Sequence, residues 1–163
     1  MKMKLLSLIL AAVTLLTFAA CGETISYQNN ISVTTLCDAA TPLLSDADQM
    51  TAMTDDYISN WFDADVSMFA DYAMMVRSSA TNVDEYGIFK AVNEEGVKEV
   101  EQVVQDYLTK RDEVWMPEYS PEERPKVQNA TVKVMGEYVV YGILSDSDKD
   151  AVFAAIENVL LGK

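Results

Sequence analysis

Residues 130–160 read ATVKVMGEYVVYGILSDSDKDAVFAAIENVL, and two periodicities divide them. Ala130–Met135 and Tyr138–Leu144 are runs of β-branched and aromatic residues separated only by Gly136-Glu137, a spacing that predicts a β-hairpin. Glycine at the first central position fits a type II′ turn. From Ser145 the period changes. Val152, Phe153, Ile156, Val159 and Leu160 recur as one face of a helix, which opens in Ser145–Asp150 and ends at Gly162. Two strands followed by a helix define an α+β unit.

The same pattern occurs upstream. Tyr86-Gly87-Ile88-Phe89 precedes Val97 as Tyr141-Gly142-Ile143-Leu144 precedes Val152, both at an offset of 55, and Val104 matches Val159 at that offset. Tyr72–Arg77 and Glu85–Val92 read as strands joined by the polar Ser78–Asp84. Asn93 caps a helix running from Glu94 to Trp115, with the stripe Val97, Val100, Val103/Val104, Tyr107/Leu108 and Val114/Trp115. Acids lie early in it and Lys110 and Arg111 late, as the macrodipole favours. Pro117, Pro121 and Pro125 mark an irregular loop, Pro117–Lys126. The expectation is two strand–strand–helix units in tandem, giving a four-stranded, mostly antiparallel sheet with helices packed on one face.

Two helices precede the sheet. Val33–Leu44 carries the stripe Val33, Leu36, Cys37, Ala40 and Leu44, with Ser32 as N-cap and Pro42 near its end. Thr54–Phe62 is capped by Thr54, has Asp55 and Asp56 in its first turn, and turns Tyr57, Ile58, Trp61 and Phe62 inward. The predicted order over residues 32–163 is therefore α-α-β-β-α-β-β-α in a single domain. Residues 21–31 are polar and aperiodic, as a tether would be.

The start of the chain predicts an address. Lys2 and Lys4 precede an apolar run from Leu5 to Phe18, which is short of the roughly 20 residues of a membrane span and suits a signal peptide. The run ends Phe18-Ala19-Ala20-Cys21, small residues directly before a cysteine, which is similar to the cleavage site of bacterial lipoproteins. Residues 1–20 are thus expected to be removed and Cys21 to be lipidated, with a diacylglycerol and a palmitate-type acyl chain. The domain would then sit at the cell membrane, facing outside the cytoplasm. Each buried methylene contributes about 0.8 kcal/mol, and two chains suffice for stable anchoring. Acylated Cys21 leaves Cys37 unpaired, a buried small hydrophobe in the first helix.

Removing residues 1–20 takes two lysines and no acids from the 12 basic and 26 acidic residues, leaving 10 and 26, net −16. Such a chain is a poor partner for nucleic acid, whose phosphates need a basic stripe. It contains no histidine, which removes imidazole-based acid–base catalysis, Ser-His-Asp and Cys-His pairs, and imidazole metal sites. It has no P-loop and no Gly-x-Gly-x-x-Gly.

The order of these segments resembles the uncharacterised bacterial lipoproteins catalogued as domain of unknown function 4358. The resemblance runs from Val33 to the C-terminus. It rests on the leader with Cys21, the acidic Thr54–Phe62 segment, Val76-Arg77-Ser78, and Asp84–Ala91 ending in Phe89-Lys90-Ala91. The Val97–Leu108 helix, the proline loop and Val127–Val140 with its Gly136–Tyr138 turn complete it. The resemblance implies a small α+β domain outside the membrane and carries over no catalytic residue.

Three candidate sites follow from residue types. Asp146, Asp148, Asp150 and Glu157 occupy positions 1, 3, 5 and 12 of an EF-hand calcium loop. Position 6, however, is Ala151 where the loop needs Gly, and the helical stripe runs straight through it. An acidic N-cap is the preferred reading. A pair of carboxylates would suit a small hydrolase, although a short chain without a loop-lined cleft is a poor host. Tyr57, Trp61, Phe62, Trp115 and Tyr119 would line a groove for a peptide, glycan or lipid if exposed. Helical spacing, however, favours the core for Trp61 and Phe62, Trp115 is expected to close the end of its helix, and Tyr119, in the proline loop, is the member expected to be exposed. The expected function is a non-catalytic binding or envelope-assembly module with no cofactor, partnered by the membrane and an envelope protein. An accessory lipoprotein binding a sugar, peptide or cation is the alternative, and a carboxylate-dependent hydrolase comes third.

Overall fold

A five-stranded antiparallel sheet carries helices on both of its faces. The computed structural model describes residues 25–79, 81–116 and 118–163. Its strands are β1 (Met50–Ala52), β2 (Phe69–Arg77), β3 (Glu85–Ala91), β4 (Thr131–Met135) and β5 (Tyr138–Ile143), in the spatial order β1-β2-β3-β5-β4. The helices are α1 (Val33–Ala40), α2 (Asp55–Phe62), α3 (Val97–Glu113), α4 (Arg124–Gln128) and α5 (Asp146–Leu160).

The caps form where the sequence places them. Ser32 accepts from the Thr35 amide at 3.2 Å, Thr54 from Tyr57 at 3.3 Å and Ser145 from Asp148 at 3.2 Å. Each satisfies a donor that the first helical turn leaves free. Asn93 caps a 3-10 turn, Glu94–Gly96, that leads into α3. Gly136 takes φ +63°, whereas Glu137 has no positive φ, the φ pattern of a type II′ hairpin.

Three expectations need correction. The sheet has five strands, not four. β1 has no apolar periodicity and forms because Met50, Thr51 and Ala52 pair with Arg77, Val76 and Met75 of β2. The proline loop is shorter than predicted, because Pro125 sits at the start of α4, where a missing amide costs nothing. The helices cover both faces rather than one. α1 and α5 pack with Tyr86, Ile88, Tyr138 and Val140, while α2, α3 and α4 pack with Phe89, Ala91, Val139, Tyr141 and Ile143.

Register explains the last difference. β3 and β5 run antiparallel with Tyr86 opposite Gly142 and Gly87 opposite Tyr141, a register one residue away from placing the equivalent Tyr86 and Tyr141 opposite each other. A one-residue offset moves every side chain to the other face. The repeats thus lie side by side with equivalent residues on opposite faces, and the helices after them cover opposite faces. Both central strands are consequently buried on both sides, β5 along its whole length.

The segment read as a tether is bound to the domain from Tyr27 onward. The Gln28 amide donates to Leu160 O at 2.8 Å, Tyr27 Oη to Glu157 at 2.7 Å, and Tyr138 Oη to Ile31 O at 2.6 Å. Asn29 Oδ1 accepts from the Glu137 amide at 3.0 Å in the β4–β5 turn. The chain therefore reaches the domain at the Tyr138 end of β5. Glu85 and Ile143, which pair with each other, mark the far end, about 17 Å away for the five steps from Tyr138 to Ile143.

Candidate functional site

The far end holds the one buried carboxylate among the described residues. Glu85, 1% exposed, opens β3 on the α2/α3 face. It accepts from Tyr107 Oη, from Tyr141 Oη at 3.2 Å and from the Arg111 guanidinium at 3.0 Å. Burial pushes the Glu85 carboxyl up, against the opposing pull of Arg111 and the two tyrosines. Burial and the neighbouring carboxylate hold both phenols well above their ordinary value.

Aromatic rings close this network off. Phe62 stacks on Tyr107 with centroids 4.0 Å apart, and Trp61 meets Tyr107 edge-on at 6.4 Å. Arg111 and Lys110 both lie 5.6 Å from the Trp61 ring, within cation–π range. Lys110 also donates to Trp61 O at 3.2 Å, a cation at the C-terminus of α2 where the dipole favours it. Of the five aromatic candidates, Tyr57, Trp61, Phe62 and Trp115 pack in or against this core, and Tyr119 is 46% exposed.

A second charged group lies beside it. Asp84 takes Lys126 at 2.7 Å and faces Arg77 at 3.8 Å, while Arg77 also pairs with Asp46 at 2.6 Å. Glu123 joins through Lys126 at 2.9 Å. Burial pulls the Lys126 ammonium down, but its bonds to Asp84 and Glu123 outweigh this and hold it above its ordinary value.

A groove of about 340 Å³ runs between the second half of α3 and the segment from α4 to β4. Leu108, Val127 and Val132 form its walls, and Gln105, Gln128 and Asp112 supply polar groups. Asp112 Oδ1 and Arg124 Nε stand 3.7 Å apart, both atoms shielded from solvent and neither hydrogen-bonded among the described residues. Val114 and Met116 are exposed nearby in sequence, just after α3.

The predicted site residues are distributed as follows. Cys21 lies outside the described residues. Asp146 and Asp148 occupy the first turn of α5, whereas Glu157 sits near its other end, roughly 16 Å along the axis at 1.5 Å per residue. Glu157 is held by Lys133 at 2.8 Å and by Tyr27, so the four acids do not converge. Among the described residues no group of three or more His, Cys, Asp or Glu is placed to hold a metal ion. Cys37 is free and buried, with its thiol pushed up by burial.

Two residues of the Glu85 network were within reach of the sequence. Arg111 continues the α3 stripe Val100, Val104, Tyr107 at helical spacing, and Glu85 shares a face with Gly87, Phe89 and Ala91. A charge on each apolar face is the signal of a pair.

The chain matches the family model described as Domain of unknown function (DUF4358) over residues 44–144 and belongs to that family. No curated protein and no solved structure matches it. The matched span ends before α5 and begins after α1. It therefore omits the whole helical layer over Tyr86, Ile88, Tyr138 and Val140.

Proposed function

We propose that this chain is a lipid-anchored, extracytoplasmic and non-catalytic module that holds an envelope partner with the end of its sheet furthest from the membrane. The observation that supports this is the docking of residues 27–31 at the Tyr138 end of β5. Only five residues separate Cys21 from Tyr27, a reach of about 20 Å for the six peptide steps when extended. A lipid on Cys21 keeps that end at the bilayer and turns the Glu85 and Asp84 groups, the α3–β4 groove and Tyr119 outward.

Catalysis by Glu85 finds no support, because the carboxylate whose pKa burial raises is closed off by Tyr107, Tyr141 and Arg111 and presents no face to a substrate. Accessory binding of a small ligand is the second reading, favoured by the α3–β4 groove. Two measurements test the proposal. A clickable fatty acid labels the wild-type protein and not Cys21→Ser. A photo-crosslinker at position 119 captures a discrete envelope protein, and one at 137 captures lipid. Labelling of Cys21→Ser, or lipid capture at 119 instead of 137, overturns it.

A further inference from the structure

We infer that the open edge of β4 and the adjoining α3–β4 groove form a β-addition site for an extended, basic peptide segment of the partner. This rests on the proposed binding role of the far end and names the chemistry it recognises. Among the described residues β4 is an edge strand, paired only with β5. Its two-residue turn makes Met135 and Tyr138 a hydrogen-bonded pair, so alternation points the amides and carbonyls of Val132 and Val134 away from the sheet. Among the described residues, no backbone hydrogen bond outside the sheet involves residues 131–135. Such an edge is a ready template for another strand.

The side chains of Val132 and Val134 lie on the α3 face, level with Tyr141 and Val139, and Val134 is 38% exposed. A strand laid against β4 therefore sends every second side chain toward the groove. Leu108, Val127 and Val132 there suit an aliphatic stem, and Gln105, Gln128 and Asp112 a polar tip. Asp112 is 44% exposed, and among the described residues its Oδ1 faces Arg124 Nε at 3.7 Å without a hydrogen bond, so the accessible side of its carboxylate suits a cationic tip, lysine or arginine. The surroundings agree in sign. The chain carries net −14, and α3 holds Glu99, Glu101, Asp106, Asp112 and Glu113 against Lys98, Lys110 and Arg111, an acidic balance that draws basic segments.

The test uses the acylated full chain in detergent and two blocked octapeptides, one alternating lysine with threonine and one alternating glutamate with threonine. Amide NMR shifts on adding the lysine peptide are expected to centre on Val132, Val134 and Asp112. Asp112→Asn, a change at a half-exposed side chain that keeps the fold, weakens binding at least fivefold, and so does Val134→Pro. N-methylation of the peptide amides that would face β4 abolishes binding, and the glutamate peptide does not bind. A lysine peptide that binds equally well when N-methylated, or equally well to Asp112→Asn, overturns the site in favour of diffuse charge attraction. The absence of any binding at millimolar peptide overturns it outright. A protein dimer that the peptide dissociates would assign the edge to a second copy and overturn the peptide assignment. Cys21→Ser keeps its peptide binding, so loss of membrane attachment alone bears on the anchor and not on this site.

Discussion

Gly87 on β3 lies opposite Tyr141 on β5, and the tyrosine ring fills the space that a β-carbon on Gly87 would need. The same Cβ would stand 2.8 Å from Phe89 Cε2. This close approach lets Tyr141 lie flat over the strand and reach Glu85 with its hydroxyl. One glycine thus shapes the only buried carboxylate site among the described residues.

Gly87→Ala tests that relationship. Alanine would reduce the freedom of the unfolded chain, a gain of about 0.4–1 kcal/mol. Overpacking costs about 1–3 kcal/mol, and displacement of Tyr141 also removes its hydrogen bond to Glu85. The clash wins, and denaturant melts should show a net loss. Unchanged or raised stability would show that the ring can move aside freely.

Removal of the cation from the Glu85 pair gives a pH-dependent effect. Arg111→Met leaves the Glu85 carboxylate buried without its guanidinium, which costs about 3 kcal/mol at pH 7. A carboxyl raised in the fold holds its proton to a higher pH than in the unfolded chain. Stability therefore falls as pH rises from the ordinary 4.5 through the folded value. Without Arg111 that value rises further, so the deficit should shrink as pH falls from 7 to 5. Adding Glu85→Gln should recover most of the loss at pH 7. An equal deficit at both pH values would refute this account.

The docked N-terminal segment depends on Glu157. The bonds from Lys133 and Tyr27 hold its carboxyl below the ordinary 4.5. Their contribution is therefore complete above pH 4.5 and is lost as pH falls through the lower folded value. The Glu157 side chain is part-exposed, at 28%, and solvent screening keeps the effect on global stability under about 1 kcal/mol. Local opening is the sharper readout. Tyr27→Phe should speed hydrogen exchange at the Gln28 amide, which bonds to Leu160 O, and leave β5 unaffected. Unchanged exchange at Gln28 would mean that Tyr27 does not hold the segment.

Cys37 should resist alkylation in the native protein. Burial against Leu36 and Ala40, with the thiol pushed up, removes the reactive thiolate. Iodoacetamide should modify it only in denaturant, at the rate of unfolding. Fast native modification would place the thiol at the surface.

Much of this arrangement is written locally. Ser32, Thr54, Asn93 and Ser145 each begin a helical segment because a short polar side chain can bond an amide two or three residues ahead, an interaction contained within one turn. The hairpin at Gly136-Glu137 is local for the same reason. β1 escaped because a three-residue strand exists only through its partner β2. The two-sided packing left a trace, since Tyr138–Ile143 is an unbroken apolar run rather than an alternating one, the mark of a strand covered on both faces.

The amino-acid sequence by itself determined α1, α2, α3 and α5, the hairpins, the burial of Cys37 and the family, but not α4. It did so through periodicity and capping, which act over a few residues. Tertiary structure alone decided that Tyr86 pairs with Gly142 rather than with Tyr141. That one-residue register sent α3 and α5 to opposite faces, brought Arg111 and two tyrosines onto Glu85, and left β4 at an open edge. Register depends on contacts between residues about 55 positions apart, and no local pattern encodes which of two adjacent pairings buries more apolar surface.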